Sequence, residues 1–225
     1  MRRDYLYTGL GVGALFAGLI ATLSGRNKTV STSSFPPAST FRGTTSLTAY
    51  LSDTFFVALN DMVSRFREKG ATVTGDDMLM MFLAESGCRA DIANSIGCAG
   101  LNQICNLRGV GFTEGVQAYI ALPADKQLVF VERYFNNVNR YPQMRDVGSL
   151  YLANFSPAFL GKPDDFIMYR KDVDKAYALN RGVDFGNKGF IEVADMPKFM
   201  RSSAVRNQSK FDELRGRLAS VTANA

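Results

Sequence analysis

An apolar run that ends on a carboxylic acid is the feature that most constrains how this chain can fold. Residues 78–84 read Met-Leu-Met-Met-Phe-Leu-Ala, and Glu85 follows directly. In a helix, Met78, Phe82 and Glu85 fall on one face, because residues three, four and seven apart lie above one another. An ionised carboxylate on an apolar face is costly unless it is paired or protonated. The sequence therefore predicts a raised pKa for Glu85, which is the property that a general acid needs.

Start and stop signals flank this helix. Residues 74–77, Thr-Gly-Asp-Asp, form a capping box with aspartate in its last position, so the helix is predicted to begin near Thr74. Residues 86–87, Ser-Gly, provide the stop. After a loop, residues 97–104 read Gly-Cys-Ala-Gly-Leu-Asn-Gln-Ile. The acid at the helix end and this glycine-bearing segment together form the candidate site.

The two segments resemble the lysozyme-like superfamily, specifically the soluble-type lytic transglycosylases found in bacteria and in phage particles. The family pattern is Glu-Ser-Gly at the end of a buried helix and, after a loop, Gly-Ala-x-Gly-Leu-x-Gln-Ile/Phe. Residues 85–87 match the first part, and residues 97–104 match the second except that cysteine stands in place of alanine at position 98. The resemblance implies a mainly α-helical, lysozyme-like fold. It also implies that Glu85 is the catalytic acid and that Gln103 lines the sugar groove. The further substrate-binding positions that it implies are Ser86, Gly100 and Leu101.

The second half of the site departs from the family pattern. In the family, a helix leads into Ala-Tyr-Asn-Ala-Gly, whose asparagine and aromatic residues border the sugar site, whereas residues 155–158 here read Phe-Ser-Pro-Ala. The departure leaves the role of the asparagine open between Asn154 and Ser156. Phe155 and Tyr169 are the aromatic candidates for the groove, although such residues also serve as core. The proline-rich continuation over residues 157–165 is similar to that of phage particle-borne members.

Composition excludes several kinds of site. The chain contains no histidine, so Ser-His-Asp and Cys-His mechanisms and histidine-built metal sites are excluded. We expect neither metal nor cofactor, because the substrate-assisted chemistry of the family needs one acid only. Cys88, Cys98 and Cys105 fit no zinc spacing, and buried thiols are expected in preference to a disulfide. One disulfide and one free thiol is the alternative in an oxidising compartment.

The basic excess of the chain lies near its start. The net charge is +5, and residues 1–48 hold five basic residues against the single acid Asp4. The remainder is almost neutral, which argues against a nucleic-acid-binding surface.

The stretch Tyr5–Leu23 is uncharged and long enough to span a bilayer as a helix. We interpret it as a membrane anchor; a cleaved signal peptide is the alternative, although no clear small-x-small cleavage site follows it.

The chain divides into three parts. Residues 1–28 are the anchor with its basic flanks, residues 29–48 are a flexible linker rich in Ser, Thr and Pro, and residues 49–225 are the lysozyme-like catalytic domain. Apolar periodicity in that domain predicts helices over residues 49–69, 124–138, 147–155, 195–200 and 209–218. No strong strand is predicted.

One loop near the C-terminus has the rhythm of a calcium-binding loop. Residues 184–192 read Asp-Phe-Gly-Asn-Lys-Gly-Phe-Ile-Glu, but glycine and lysine hold the third and fifth positions, where carboxylates are needed. The lysine also opposes a bound cation. The loop is therefore predicted to be a structural turn that binds no calcium.

The resemblance implies that the chain cleaves peptidoglycan between N-acetylmuramic acid and N-acetylglucosamine and forms a 1,6-anhydro product. Two alternatives remain open. One is a hydrolytic muramidase on the same fold, with Asp91 or Glu114 as the second carboxylate. The other is a membrane-anchored structural protein that binds glycan without cutting it. The expected partners are peptidoglycan strands, the membrane through Tyr5–Leu23, and virion or envelope proteins, with the catalytic domain facing the periplasm or cell wall; nucleic acid is not a partner.

The anchor interpretation predicts how the chain partitions. Because Tyr5–Leu23 is uncharged and of spanning length, the full chain is expected to sediment with membranes and to need detergent for release. A shortened chain that begins near Ala49 is expected to be soluble and folded, because it loses the apolar stretch and keeps the core. Cell fractionation of both forms measures the difference. A full-length chain that stays soluble without N-terminal processing contradicts the anchor.

Overall fold

The structure, a computed structural model, describes residues 51–223, and these are mainly α-helical, as the sequence predicts. They form eight α-helices and two short strands, together with short 3-10 turns. The helices are Asp53–Glu68 (α1), Gly75–Ser86 (α2), Val116–Ile120 (α3), Ala124–Val138 (α4), Val147–Phe155 (α5), Lys175–Asn180 (α6), Asp195–Arg206 (α7) and Gln208–Ala223 (α8). The strands are Ile167–Arg170 (β1) and Phe190–Glu192 (β2).

The predicted anchor over Tyr5–Leu23 and the linker over residues 29–48 lie outside the described residues. Within residues 51–223, none of the helices combines the length and the apolar character that crossing a bilayer requires. The anchor therefore stays a prediction from the sequence.

Helix α2 lies at the centre of the fold. It packs against α1, α5, α7 and α8, and Met78, Leu79, Met81 and Phe82 are all fully buried. A helix that is apolar on nearly all sides is stable only inside a core. The position of α2 therefore follows from its composition, and the residues at its C-terminal end are held by the surrounding helices.

The predicted ends of α2 are confirmed. The Thr74 hydroxyl accepts from the Asp77 amide at 3.2 Å, and the Asp77 carboxylate accepts from the Thr74 amide at 2.8 Å, which completes the capping box. Gly87 ends the helix in the left-handed conformation, with φ 67°. That conformation favours glycine because it has no Cβ to clash.

The helices around α2 follow the predicted pattern with small shifts at their ends. The apolar residues whose spacing predicts a helix over residues 49–69 are all buried; they are Leu51, Phe55, Leu59, Met62 and Phe66. Helix α1 begins at Asp53, later than predicted, because the Ser52 hydroxyl caps it by accepting from the Phe55 amide at 3.3 Å. Helices α4 and α5 have the predicted bounds, and α7 and α8 are longer than predicted.

No strong strand is predicted from the sequence, and the structure contains two short ones. Strands β1 and β2 pair antiparallel, with Ile167 opposite Glu192 and Arg170 opposite Phe190. They are four and three residues long. Strands this short contain too few alternating positions to give a periodicity signal in the sequence. They pair because the chain between them folds back on itself.

Residues 184–192 form a turn that is stabilised from within, as predicted. The Asp184 carboxylate accepts from the backbone amides of Lys188 at 2.9 Å and Gly189 at 2.8 Å. The Lys188 ammonium group reaches Glu192 at 2.7 Å and the fully buried Asp195 at 2.8 Å. Lys188 thus neutralises both carboxylates and ties the β2 turn to α7. That the loop binds no calcium stays a prediction.

The Lys188 contact predicts that substitutions of Lys188 and Lys198 differ in their effect on the stability of the protein. Lys188→Met leaves the buried Asp195 carboxylate without its close cation, and we expect the free energy of unfolding to fall by about 2 kcal/mol. Lys198→Met is the matched control, because its ammonium group lies farther from Asp195, at 3.7 Å, and is more exposed. The control is expected to lose less than about 1 kcal/mol. Urea unfolding followed by circular dichroism measures both, and equal losses contradict this assignment.

Candidate active site

Glu85 lies in the last turn of α2, in the turn that also holds the buried Phe82 and Leu83. The residue as a whole is partly buried, and its Oε1 accepts a hydrogen bond from Nδ2 of Asn154 on α5 at 3.1 Å. Burial raises the pKa of the Glu85 carboxyl group from its ordinary value of 4.5 to about 7, and the Asn154 hydrogen bond opposes that rise. The acid is therefore poised to change its protonation state near neutral pH.

Two tyrosines lie close to this carboxyl group. The Tyr134 hydroxyl on α4 donates to the backbone carbonyl of Asn154 at 2.8 Å, and Tyr151 on α5 is fully buried. Burial raises the pKa of both phenols, and the negative charge of Glu85 raises it further. Both phenols therefore stay neutral in the pH range where Glu85 titrates. Neither gains or loses a proton when Glu85 does, so neither offsets the change in charge at the site.

The segment after α2 turns back sharply on itself. Ala99 and Ile104 exchange backbone hydrogen bonds of 3.1 and 2.9 Å, and the turn between them contains Gly100 with φ 73° and Gln103 with φ 51°. A Cβ at Gly100 would lie 2.3 Å from the Gln127 side-chain oxygen. Only glycine fits at this position, because both the backbone conformation and the neighbouring side chain exclude a larger residue.

Ser86 and Leu101 join this turn to the helices beneath it. The Ser86 hydroxyl donates to the Leu101 carbonyl at 2.8 Å, and the Leu101 amide donates to the Gln127 side-chain oxygen at 3.1 Å. Both residues are buried and their polar groups bond within the protein. They hold the turn against the end of α2, and their direct contact with substrate stays a prediction.

Gln103 is also largely buried. Its side-chain nitrogen donates to the Gly100 carbonyl across the turn at 3.0 Å. The left-handed conformation of Gln103 and this hydrogen bond together fix the shape of the turn. The predicted role of Gln103 in lining the sugar groove remains a prediction.

Asn154 is the candidate after α2 whose side chain is hydrogen-bonded to the acid. Ser156, the other candidate, instead shares a hydrogen bond of 2.9 Å with the Tyr169 hydroxyl. Phe155 is 1% exposed and its ring stacks on Tyr151 at a centroid distance of 5.7 Å, so Phe155 is a core residue of α5. Of the two candidates that the sequence leaves open, Asn154 is the one that contacts Glu85, and its role toward a sugar stays a prediction.

The site therefore consists of one carboxyl group, the amide that contacts it and a rigid turn. Comparisons with protein-family models, curated proteins and solved structures find no match. A single acid with a pKa near 7 can donate a proton and accept one back, which is acid–base chemistry at neutral pH. Among residues 51–223, no group of potential metal ligands is brought together.

Two supporting residues were not predicted from the sequence. Gln127 on α4 is fully buried, and its side chain bonds to Leu101, Ala90 and Tyr119. Its place on the inward face of α4, four residues before Val131, is the signal that reveals it. Asn102 bonds to Asn154 and lies at a variable position of the motif, so the motif alone gives no reason to select it.

The expectation of buried thiols holds for only one of the three cysteines. Cys98 and Cys105 form a disulfide, which contradicts the prediction, whereas Cys88 is a buried free thiol whose pKa is raised by burial. The two paired residues flank the hydrogen-bonded Ala99 and Ile104, so the sharp turn between them brings their Cα atoms within 3.9 Å. Sequence spacing alone could not show this close approach. The disulfide closes the turn that contacts the Glu85 end of α2.

The raised pKa of Glu85 predicts a pH-dependent stability. The folded protein holds this proton more tightly than the unfolded chain, so the stabilisation is complete below pH 4.5 and is lost as the pH rises through about 7. Glu85→Gln is neutral at every pH and avoids that loss. We expect the stability of the variant relative to the wild type to increase by roughly 2–3 kcal/mol between pH 4.5 and pH 8. Urea unfolding at both pH values measures it, and a difference that is independent of pH contradicts the raised pKa.

Proposed function

We propose that this chain is a lytic transglycosylase with a lysozyme-like helical domain, which cleaves peptidoglycan between N-acetylmuramic acid and N-acetylglucosamine. The observation that carries the proposal is the Glu85 carboxyl group, which has a pKa of about 7 and lies 3.1 Å from the Asn154 amide. The match of residues 85–87 and 97–104 to the family motifs supports the same function. A general acid is most effective when its pKa lies near the working pH.

In the first step, protonated Glu85 donates to the glycosidic oxygen as the bond from that oxygen to the muramyl C1 breaks. The acetamido group of the substrate stabilises the positive charge that develops at C1. Glu85 becomes a carboxylate in a buried place, which is costly unless a donor faces it. The Asn154 NH2 group is that donor, since it already contacts Oε1.

In the second step, the Glu85 carboxylate takes the proton from the muramyl 6-hydroxyl. The oxygen of that hydroxyl bonds to C1, which closes the 1,6-anhydro ring and displaces the acetamido oxygen. Glu85 is protonated again and the cycle is complete. No water is consumed, so the reaction needs one carboxyl group, and one is what the site holds.

The local contacts of Asp91 and Glu114 bear on the hydrolytic alternative. A hydrolytic muramidase needs a second carboxylate to activate water. Asp91 pairs with Arg89 at 2.9 Å, and that guanidinium holds the pKa of Asp91 below its ordinary value. The exposed Glu114 accepts from the Thr113 amide. A carboxylate with a lowered pKa takes a proton from water less readily, so Asp91 is poorly suited to that role.

A protein that only binds glycan is the other alternative, and the burial of Glu85 argues against it. A neutral residue of the same shape would fill that place at lower cost, because the ionised form of Glu85 is disfavoured there. On this proposal the enzyme reaches the wall from a membrane, through the anchor over Tyr5–Leu23 and the linker that follows. Its partners would then be peptidoglycan strands and the neighbouring envelope or virion proteins.

The proposal predicts that Glu85→Gln loses activity and keeps its fold. The change removes the transferable proton and preserves shape, so clearing of purified peptidoglycan is expected to slow by roughly 10²–10⁴-fold. Gln103→Ala is expected to lose less, because it alters the turn and leaves the acid in place. Turbidity assays with circular dichroism of each variant measure both effects. A Glu85→Gln protein that clears walls at the wild-type rate refutes the catalytic assignment.

Two carboxylate changes serve as matched controls. Glu114→Gln and Asp91→Asn each remove one acid in the same conservative way, and a transglycosylase that needs only Glu85 is expected to keep at least about half of its activity in both variants. A loss comparable to that of Glu85→Gln in either control would favour a hydrolase with that residue as its second carboxylate.

A further inference from the structure

We propose that Asn102 is a positioning residue of this site, which holds the Asn154 side chain so that its NH2 group and not its oxygen faces Glu85. The inference rests on the proposed function, because it assigns a task within the same acid–base cycle. It concerns a residue that makes no hydrogen bond to Glu85 itself and acts through Asn154.

Asn102 contacts both ends of the Asn154 carboxamide. Its side-chain nitrogen donates to Oδ1 of Asn154 at 3.0 Å, and its backbone carbonyl accepts from Nδ2 of Asn154 at 3.3 Å. A backbone carbonyl can only accept, so the Asn154 atom that faces it has to be the nitrogen. The same nitrogen donates to Oε1 of Glu85 at 3.1 Å. The backbone carbonyl would be present with any residue at this position, whereas the donor to Oδ1 of Asn154 is specific to Asn102. A flipped Asn154 amide would place its NH2 group against the NH2 group of Asn102, so the Asn102 side chain disfavours the flip.

The orientation of Asn102 itself carries a cost. Asn102 is 2% exposed, and its Oδ1 has no hydrogen-bond partner within the described part of the chain. A buried polar atom without a partner is unfavourable. Flipping the side chain would not relieve this, because Oδ1 of Asn102 would then face Oδ1 of Asn154. The orientation that leaves this oxygen unpaired is thus the one in which Asn102 donates to Asn154.

The turn keeps Asn102 in place on both sides. The preceding residue, Leu101, bonds to Ser86 and Gln127, and the following residue, Gln103, bonds back to Gly100. The Cys98–Cys105 disulfide closes the same turn. Asn102 is therefore a rigid support, as the positioning of a second amide requires.

The orientation matters for both halves of the cycle. With the NH2 group toward Glu85, the carboxylate formed after proton donation receives a hydrogen bond. With the oxygen toward Glu85, the carboxylate would face a second acceptor, and only its protonated form would be tolerated. The other titratable groups close to Glu85 are Tyr134 of α4 and Tyr151 of α5, both neutral in this pH range. The Asn154 amide is then what sets how readily Glu85 releases its proton.

Two variants and a matched control test the role of Asn102. Asn102→Leu removes the donor and keeps the volume, and Asn102→Asp keeps the shape and replaces the donor by acceptors. Asn180→Leu is the control, because Asn180 on α6 is 1% exposed and its Oδ1 also lacks a partner among the described residues. The readouts are kcat and KM on soluble peptidoglycan fragments, the pH profile of kcat, and the titration of Glu85 by carboxyl ¹³C NMR.

Both Asn102 variants are expected to lose roughly tenfold to a hundredfold in kcat with little change in KM, because the residue orients the site and does not bind the glycan. In Asn102→Leu the pKa of Glu85 and the alkaline limb of the pH profile are expected to move upward, since the Asn154 hydrogen bond lowers that pKa. In Asn102→Asp the added negative charge raises the pKa as well, so Asn102→Leu is the diagnostic variant. The Asn180→Leu control is expected to keep the wild-type kcat and the wild-type Glu85 titration.

Unchanged kcat and unchanged Glu85 titration in the Asn102 variants overturn the inference. In the wild-type protein, the NMR signals of the Asn154 side-chain NH2 group are expected to shift as Glu85 titrates. If these signals do not respond, the inference is overturned by the wild-type protein alone. The titration is read in the absence of substrate. A wild type that is inactive on peptidoglycan therefore refutes the proposed function, whereas an unchanged titration refutes the positioning by Asn102.

Discussion

The hydrogen bond between Asn154 and Glu85 is the interaction on which the rest of the site depends. Burial pushes the carboxyl group toward its protonated form, and the amide donor offsets part of that effect, which leaves a pKa of about 7. Burial without the donor would favour an acid that does not release its proton. The donor without burial would favour a permanent carboxylate. The two opposing influences together give one residue the ability to act first as acid and then as base.

The fold supplies both influences through the position of α2. The apolar helix needs neighbours on nearly every side, and α5 is one of them, so Asn154 on α5 is brought to the last turn of α2. The disulfide-closed turn over residues 98–105 packs on the same helix end through the Ser86 hydroxyl. Helix α5 and the turn over residues 98–105 thus meet at the Glu85 end of α2, because both pack on this central helix.

Local sequence signals predict much of this arrangement. They miss the parts that depend on how the chain turns back and on contacts between residues far apart in the sequence. The capping box at Thr74, the stop at Gly87 and the apolar face under Glu85 are local signals, and each predicted feature is present. The Cys98–Cys105 pairing and the short strands depend on how the chain turns back, which spacing does not report. The contact of Asn102 with Asn154 joins residues far apart in the sequence, so no local pattern reveals it.

The identity of the reaction product tests the central claim most directly. Purified peptidoglycan digested with the protein releases muropeptides whose ends can be assigned by mass spectrometry. If Glu85 regains its proton from the muramyl 6-hydroxyl as the ring closes, the fragments end in 1,6-anhydro-N-acetylmuramic acid. Fragments that end instead in a free reducing sugar would show that water is the nucleophile, and would contradict the one-acid mechanism built on Glu85.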